Sequence, residues 1–583
     1  MKDIFTNLLK GLVGRRGFLK LIGKTALSAS ALSLFGPKRP EAQARVFPSG
    51  SSEVLLKNGL IVDGTGKKGF LGNLLIRGNK IADVTGEDVK TSGAVIDCTG
   101  KVISPGIIDA HSHMDWYLPI EGHPEVKTTF TGQGVTTFVA GNCGYGIAGF
   151  RKDSTTMDKV RFIDKGLFKL EWNTMEEYFS HLKKMGLTHN LVNLAGHGTT
   201  RASMRGFDAS PLNKGEMTEI LSHLELAMDQ GAYGVSFGLQ YEPGIFATLD
   251  EIGEIAKLIK KKDKILTVHM KAYSSLSGTY PLKLFGTPHN LLGIEDMINV
   301  ARETGVRMEL SHLIFVGEKT WKTVDEALTM IDGAVSEGLD VKFDTYSYHC
   351  GTSIINVFFP EWFLAKVPGA YEDRKLMKKL KRQIFLMESL LGFGYKDIQI
   401  TDAKCEELEE YNGMFLYDIA KKRNKPQFEN FIDFARKSGG IARVLNHRYT
   451  NLEIVEELMR HPASLFMTDA LPALDGVQNP GCSGCFPRFF QIARDNKVIS
   501  LEEAIYKMSG ASMERFNIKD RGILKAGLAA DVLVFDEKGI VDNNTLTETD
   551  RAPSGIEAVF INGVQVLKDG AVDGSINAGV VVS

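Results

Sequence analysis

The sequence has no excess of either charge. Its 583 residues carry 69 lysines and arginines against 71 aspartates and glutamates, a formal net charge of -2. Binding to nucleic-acid phosphates requires a basic surface, so the composition gives no support for a nucleic-acid partner. The six cysteines are too few for a disulfide scaffold, and we expect most of them to be packing residues.

The sequence also has no internal repeat and no low-complexity tract. The apolar stretch from Leu21 to Phe35 is too short and too mild for a stable membrane span. It follows an arginine pair, Arg15 and Arg16, and precedes the cleavage pattern A-Q-A at 42–44. Residues 1–44 are therefore predicted to be a twin-arginine-type signal peptide, with a basic amphipathic helix as the alternative. We expect export to the periplasm or the extracellular space, and no stable membrane insertion after cleavage.

Both ends of the remaining chain are predicted to be rich in strands. Residues 53–103 alternate short apolar runs with turns, and the glycine–asparagine pair at 78–79 is placed for a two-residue hairpin turn. The tail has an asparagine–glycine pair at 562–563 in an equivalent position. We predict that the two pieces, 45–103 and 516–583, pair into one small β-sandwich domain.

Between these pieces, over residues 104–515, short apolar strands alternate with helical patterns such as TMEEYFSHLKKMG and LLGIEDMINVARETG. Eight strands separated by helices predict a (β/α)8 barrel of the α/β class. About 120 residues separate the last two strands, so we predict an inserted lid subdomain at about 355–440 over the catalytic face. The candidate strands are Val102–Ile108, Thr136–Ala140, Asn190–Leu194, Tyr233–Phe237, Ile265–Val268, Val306–Leu310, Asp340–Phe343 and Ser464–Thr468.

Chemically active side chains follow six of these eight strands. His111 and His113 end the stretch IIDAHSHMD, and residues i and i+2 of a strand share a face. For this pair alone, two surface histidines are the alternative. Imidazole, thiolate and carboxylate groups at one site are typical of a Zn²⁺ centre, which is what we predict. The other candidates are Cys143 in GNCG, His197 in GHG, His269, His312 in SHL and Asp469.

This combination resembles the amidohydrolase superfamily and, within it, the N-acyl-D-amino-acid deacylase (D-aminoacylase) family. The resemblance covers nearly all of residues 53–583 through SPGIIDAHSHMD, GVTTFVAGNCG, NLAGHGTTR, ELSHL, DTYSY and RGILKAGLAADVLVFD. It implies a metal-dependent hydrolase barrel with a small β-sandwich built from both chain ends. Many superfamily members bridge two metals with a carboxylated lysine on the fourth strand, but YGVSFG offers none.

The deacylase family uses a second-strand cysteine in place of that lysine, and Cys143 matches it. The resemblance implies one tight zinc site and a second, weaker one. The tight site would be formed by Cys143, His269 and His312, and the weaker one by His111, His113 and Asp469.

The resemblance also implies the reaction, which is hydrolysis of a linear C–N amide bond in a small-molecule substrate by a metal-activated hydroxide. Asp469 would act as general base and then as general acid. His197 would assist the carbonyl oxygen or orient a ligand, with a structural histidine as the alternative. Tyr346 and Thr352 match substrate-holding positions, where plain packing is the alternative. The sequence specifies no oligomeric state.

The chain departs from the family at its substrate-binding positions. The family commonly reads SHLK at the sixth strand, where the lysine binds the substrate carboxylate, and here the residue is Ile314. The family's HPR motif is replaced by an N-P-G sequence at 479–481. The alternative substrate is therefore a cyclic or other non-peptide amide without a free carboxylate, unless a cation between Arg374 and Arg382 compensates. A catalytically silent binding protein is a third possibility, which the six intact ligand candidates disfavour.

Two groups of residues are predicted to have no part in the site. Cys482 and Cys485 are expected to be incidental loop cysteines, disulfide-linked or not, with a redox pair or an extra metal site as alternatives. The remaining histidines considered are expected to be surface or packing residues, namely His123, His181, His223, His289, His447 and His461.

Overall fold

The computed structural model describes residues 53–156, 166–281, 286–474, 476–545 and 548–582. The predicted signal peptide, residues 1–44, lies outside the described residues. Within the described ranges, no helix has both the length and the apolar character that crossing a bilayer requires.

Eight parallel strands, numbered here as barrel strands one to eight, confirm the predicted (β/α)8 barrel. The eighth strand meets the first through side-chain and backbone contacts, because Thr468 donates its N–H to Asp109 Oδ1 and Asp469 donates its N–H to the carbonyl of His111. The strands are Ile107–Asp109, Val135–Ala140, Asn190–Asn193 continued by Ala195–Gly196, Gly234–Gly238, Ile265–His269, Arg307–Leu310, Val341–Thr345 and Ser464–Phe466.

Helices cover the outside of the barrel and follow the predicted periodicity. Local capping fixes where several of them begin. The helix at Met175, for example, has a reciprocal capping box between Thr174 and Glu177. The barrel helices are Glu125–Gly132, Met175–Met185, His197–Arg205, Lys214–Asp229, Leu249–Lys261, His289–Thr304, Val324–Ser336, Leu452–Arg460, Gly481–Asn496, Leu501–Met508 and Gly510–Arg515.

Strands from both ends of the chain share one nine-stranded sheet, as the fold prediction requires. Two-residue turns at 78–79 and 562–563 join hairpins in this sheet, and Asn562 and Gly563 both have positive φ, as a tight hairpin turn demands. The strands are Glu53–Ile61, Phe70–Arg77, Lys80–Thr85, Ala94–Asp97, Val102–Pro105, Val532–Phe535, Ile556–Ile561, Val564–Lys568 and Ala571–Val572.

The single strand predicted over Val102–Ile108 is wrong, because the chain forms two strands there. Val102–Pro105 pairs with strands of the nine-stranded sheet, and Ile107–Asp109 pairs with the second barrel strand. Gly106 separates them at a point of close packing, since a Cβ there would clash with the side chain of Thr136. An apolar run alone does not reveal that its two halves belong to different sheets.

The segment between the seventh and eighth barrel strands forms the insertion. A three-stranded sheet begins and ends it, with Gly351–Ile354 and Ile398–Asp402 on either side of Arg443–Asn446. The insertion therefore extends a few residues beyond the predicted 355–440 at each end. Its helices are Glu361–Leu364, Arg374–Leu391, Leu416–Lys422 and Gln427–Lys437.

Cys482 and Cys485 are not loop residues, which corrects the sequence prediction. Both are buried in the first turns of the helix Gly481–Asn496, and both are free thiols. The Cys485 thiol lies 3.1 Å from the carbonyl of Met467. The pair therefore packs the helix against the barrel.

Candidate metal centre and substrate cavity

The C-terminal ends of the barrel strands bring the six predicted ligands into two groups that share Cys143. The first group contains His111, His113, Cys143 and Asp469, and the second contains Cys143, His269 and His312. The potential ligand atoms of each group all lie within 4.8 Å of one another. The structure thus brings together the residues of both predicted sites, and places Cys143 where it belongs to both.

The spacing around Cys143 suits a tetrahedral ion. Its Sγ lies 3.3 Å from His111 Nε2, 3.5 Å from His312 Nε2 and 3.8 Å from His269 Nδ1. Sulfur and nitrogen ligands of one zinc ion stand about 3.5 Å apart when their bonds to zinc have ordinary lengths. The donor set and its spacing therefore fit zinc.

Asp469 contacts the two histidines of the first group, His111 and His113. Its Oδ1 lies 3.3 Å from His113 Nε2 and 3.4 Å from His111 Nε2. Its side chain remains 13% exposed, whereas that of His111 is fully buried. A carboxylate that contacts the ligands and still reaches the cavity is placed both to bind a cation and to exchange a proton with a substrate.

Backbone geometry at the ligands is unusual. Cys143, His312 and Asp469 have φ values of 54°, 35° and 45°, a left-handed conformation that non-glycine residues adopt rarely. Such strained residues cluster at functional sites, where the surrounding structure holds them. Gly144 lets the Cys143 loop lie against the fourth strand, because a Cβ there would approach Gly238 N to 2.8 Å.

Two side chains, one buried and one half-buried, orient the histidines, and the sequence prediction included neither. Asp344 Oδ2 lies 3.3 Å from His111 Nδ1, and its Oδ1 accepts the backbone N–H of His312. Gln240 Oε1 lies 2.9 Å from His269 Nε2. Partners of this kind fix the tautomer of a ring so that its other nitrogen faces the metal. Asp344 follows the same pattern as the predicted ligands, since it lies near the end of the seventh barrel strand.

The electrostatics of the group favour neutral imidazoles. Burial lowers the pKa of His111 and of His312 to about 4, and burial also lowers the pKa of His269 well below its usual value. Burial raises the pKa of the Cys143 thiol well above its usual value. A bound cation reverses that effect, because a coordinating thiol is deprotonated.

Burial also acts on Asp469, where it raises the pKa. The positive charge that His111 carries when protonated and the hydrogen bond from His113 together outweigh burial, so the net pKa of Asp469 lies below the usual value. The carboxylate is therefore ionised at neutral pH, the state that a general base requires.

A cavity of about 1370 Å³, including its open mouth, leads to these ligands. The insertion supplies much of its wall, as expected of a lid, and that part is mainly aromatic and aliphatic. These lining residues are Val357, Phe358, Phe359, Ile384, Met387, Leu391, Phe393 and Phe431.

No lysine or arginine among the described residues lines the cavity, and its carboxylates are Asp469 and Glu388. Ile314 lines it, at the position where the resemblance implies a cation. The basic segment Arg374–Arg382 does not reach it, because only the later part of that helix contributes to the wall. A substrate carboxylate would therefore meet the carboxyl groups of Asp469 and Glu388 and no lysine or arginine of the described residues.

The predicted substrate residues Tyr346 and Thr352 both line the cavity. Thr352 is held by Asn479, whose Nδ2 donates to Thr352 Oγ1 at 2.8 Å. In this chain Asn479 thus positions a cavity residue by a neutral hydrogen bond.

His197 is not among the residues that line the cavity. Its ring is fully buried and stacks on the ring of Phe237, with the two ring centroids 4.5 Å apart. Its Nε2 lies 2.8 Å from Glu251 Oε1. The same carboxylate is 3.3 Å from Arg201 Nε. This geometry is that of a structural histidine, the alternative given in the sequence analysis.

We expect Asp344→Asn to weaken zinc binding by about 10–100-fold, because residues that orient ligands typically contribute that much. Competition with a chromogenic chelator measures the affinity. Asp332→Asn is the matched control, since Asp332 lies 3.2 Å from the ring of His461, which belongs to neither ligand group. Equal zinc affinity for the parent and Asp344→Asn would remove Asp344 from the site.

Known proteins resemble the chain over nearly its whole length, although no protein-family model matches it. D-aminoacylase from Alcaligenes xylosoxydans xylosoxydans is 26% identical over 523 residues, which cover 90% of this chain and 96% of that protein. N-acyl-D-glutamate deacylase from the same organism is 27% identical over 520 residues, or 88% and 93% of the two chains.

Solved structures of such enzymes have the same fold as this chain. A crystal structure of D-aminoacylase, described as defining a novel subset of amidohydrolases, is 26% identical and superposes with a TM-score of 0.75, covering 91% of this chain and 99% of the other. N-acyl-D-glutamate deacylase from Bordetella bronchiseptica, solved with zinc and a phosphonate inhibitor, is 24% identical with the same TM-score and covers 91% and 100%, which shows the shared fold. The predicted resemblance to this deacylase family and its amidohydrolase barrel is confirmed.

Proposed function

We propose that this relative of the D-aminoacylases is an exported, zinc-dependent hydrolase that cleaves a linear amide whose acyl group is large and apolar and whose amine half carries no carboxylate. The single observation that carries the proposal is the cavity. It leads from the ligand groups along an apolar wall, and no described lysine or arginine lines it.

The hydrolytic part of the proposal rests on the ligand groups and on the relatives. The relatives are a D-aminoacylase and two N-acyl-D-amino-acid deacylases. The binuclear metal centre of a D-aminoacylase structure is described as activated by one metal and attenuated by a second. Two groups sharing Cys143 suit a similar arrangement here. Zinc at the Cys143 group would supply Lewis acidity, which polarises an amide carbonyl and lowers the pKa of water.

The protein's own residues would perform the proton transfers and the positioning. Asp469, ionised and in reach of the cavity, would accept a proton from the attacking water and then deliver it to the departing amide nitrogen. The nitrogen must be protonated to leave as an amine. Tyr346 and Thr352 line the same space and would orient the amide, while the lid residues exclude water from the acyl group.

The preference for a neutral amine half follows from electrostatics. Removing a carboxylate from water without a partner is costly, and Ile314 offers none. Two carboxylates in the wall add repulsion. Cyclic amides remain the second candidate class, because a cavity without a described lysine or arginine also suits a cyclic substrate that has no free carboxylate.

Matched substrates test the preference. We expect kcat/KM for an N-acyl amino-acid amide to exceed that for the corresponding free acid, and to rise with acyl-chain length. Ile314→Lys is expected to raise kcat/KM for the free acid by about tenfold or more, the usual contribution of a charged hydrogen bond.

Ile384→Lys is the matched control, because it adds the same charge on the lid wall of the cavity. It should leave the ratio between acid and amide nearly unchanged. Faster turnover of the free acid by the parent, with no gain from Ile314→Lys, would show that the carboxylate is recognised elsewhere. Zinc analysis of the purified protein and fractionation of the producing cell test the metal and the export separately.

A further inference from the structure

The helix Arg374–Leu391, called here the lid helix, separates the cavity from solvent. Ile384, Met387 and Leu391 lie on the face that lines the cavity. The opposite face is in solvent, and it has a composition that a soluble enzyme rarely exposes.

Three large apolar side chains project from the solvent face of the lid helix near the cavity. Phe385 is 70% exposed, Leu390 is 42% exposed and Leu386 is 36% exposed. Leu386 and Leu390 are one helical turn apart, and Phe385 lies beside them, so the three form one patch. Clustered apolar side chains on a surface mark a site of interaction, whereas single ones do not.

The first half of the same exposed face is basic. Its six cations are Arg374, Lys375, Lys378, Lys379, Lys381 and Arg382, and Glu388 is the acidic residue within the helix. Lys381 pairs with Glu429, and Lys379 lies over the ring of Trp362. Within the part of the chain that the structure describes, no ion pair involves the other four. They are therefore available to an anionic partner.

We propose that the lid helix binds the surface of an anionic phospholipid membrane. The basic half would contact lipid phosphates, and Phe385, Leu386 and Leu390 would insert among the acyl chains. A helix that carries clustered cations and large apolar side chains on one exposed face has the composition of an interfacial helix. A second copy of this chain fits the face less well, because the same face of that copy offers cations and apolar side chains but no carboxylate to pair with the cations.

The position of the lid helix suggests that membrane binding brings the cavity close to an amphiphilic substrate. Its buried face lines the cavity, so a membrane bound to its exposed face lies one helix away from the acyl-binding wall. An amphiphilic amide could then pass from the lipid layer to the ligand groups with little exposure of its acyl chain to water. This transfer rests on the proposed function, whereas membrane binding does not.

Co-sedimentation of the mature protein, without the predicted signal peptide 1–44, with lipid vesicles tests the proposal. We expect binding to vesicles that contain phosphatidylglycerol and much weaker binding to pure phosphatidylcholine. The charge-reversal variant Lys375→Glu/Lys378→Glu/Arg382→Glu should lower the partition coefficient by more than about 100-fold. Phe385→Ser/Leu390→Ser should lower it by about tenfold or more, through loss of the inserted side chains.

Matched controls come from other surface helices. Leu226→Ser removes an apolar side chain that is 45% exposed, and Lys183→Glu/Lys184→Glu reverses cations on the helix Met175–Met185. Both should bind vesicles as the parent does. All variants should hydrolyse a short, soluble N-acyl amide at the parent rate, because none of the changed residues contacts the ligand groups.

Equal vesicle binding by the parent and both lid-helix variants would overturn the proposal. Sedimentation velocity distinguishes the competing partner, since self-association that disappears in Phe385→Ser/Leu390→Ser would assign the patch to a second copy instead. Failure of the parent to hydrolyse any amide would contradict the proposed function and leave the vesicle result standing.

Discussion

The variant Asp469→Asn is expected to retain its zinc and to lose about 10²–10⁴-fold in kcat, the range that general acid–base catalysis contributes. Asparagine preserves the shape of the side chain and can still contact His113, but it cannot accept a proton from water or return one to the leaving nitrogen. Zinc content by elemental analysis and kcat on the best amide substrate measure the two effects separately.

The zinc measurement makes the Asp469→Asn experiment decisive. A variant that loses both zinc and activity would identify Asp469 as a structural ligand, which its contacts with His111 and His113 also permit. A near-normal kcat with full zinc would exclude Asp469 from proton transfer. Only retained zinc with a large loss of kcat supports the proposed role.

The variant Cys143→Ala is expected to lose its zinc and nearly all activity. Cys143 belongs to both ligand groups, and its Sγ lies within 3.8 Å of three imidazole nitrogens. Its loss should weaken zinc binding by more than about 100-fold, since even residues that merely orient ligands contribute about 10–100-fold. Zinc stoichiometry after gel filtration and chelator competition measure the change.

Cys482→Ala is the matched control for Cys143→Ala. It removes another buried thiol, from a helix outside both ligand groups, and should leave zinc content unchanged. Comparable thermal unfolding of the two variants in the presence of a chelator would show that Cys143→Ala still folds. A fully zinc-loaded and active Cys143→Ala would contradict the metal assignment.

The metal ligands could be predicted from the sequence because each follows a short apolar strand. Parallel strands of a barrel all end at the same face, so finding eight strands also placed His111, Cys143, His269, His312 and Asp469 together. His197 follows the same rule but lies outside the cavity lining. Its direction is set by Glu251 and Phe237, and no local pattern in the sequence indicates those contacts.

What the sequence could not predict depends on contacts between distant segments. Asp344 lies near the end of the seventh strand, yet its role depends on the ring of His111, which is remote in sequence. The division of Val102–Ile108 depends on packing against Thr136. The composition of the cavity wall could not be predicted either, because helical periodicity in the insertion does not indicate which helix face packs against the barrel.

The nine-stranded sheet has a consequence for how the protein is made. Val102–Pro105 lies between Glu53–Ile61 and Val532–Phe535, and it precedes the first barrel strand by one residue. A ribosome must therefore complete almost the entire polypeptide before this strand gains its second neighbour. The segment that leads into His111 and His113 is therefore held on both sides only late in synthesis, and we expect truncation before Val532 to destabilise the metal site.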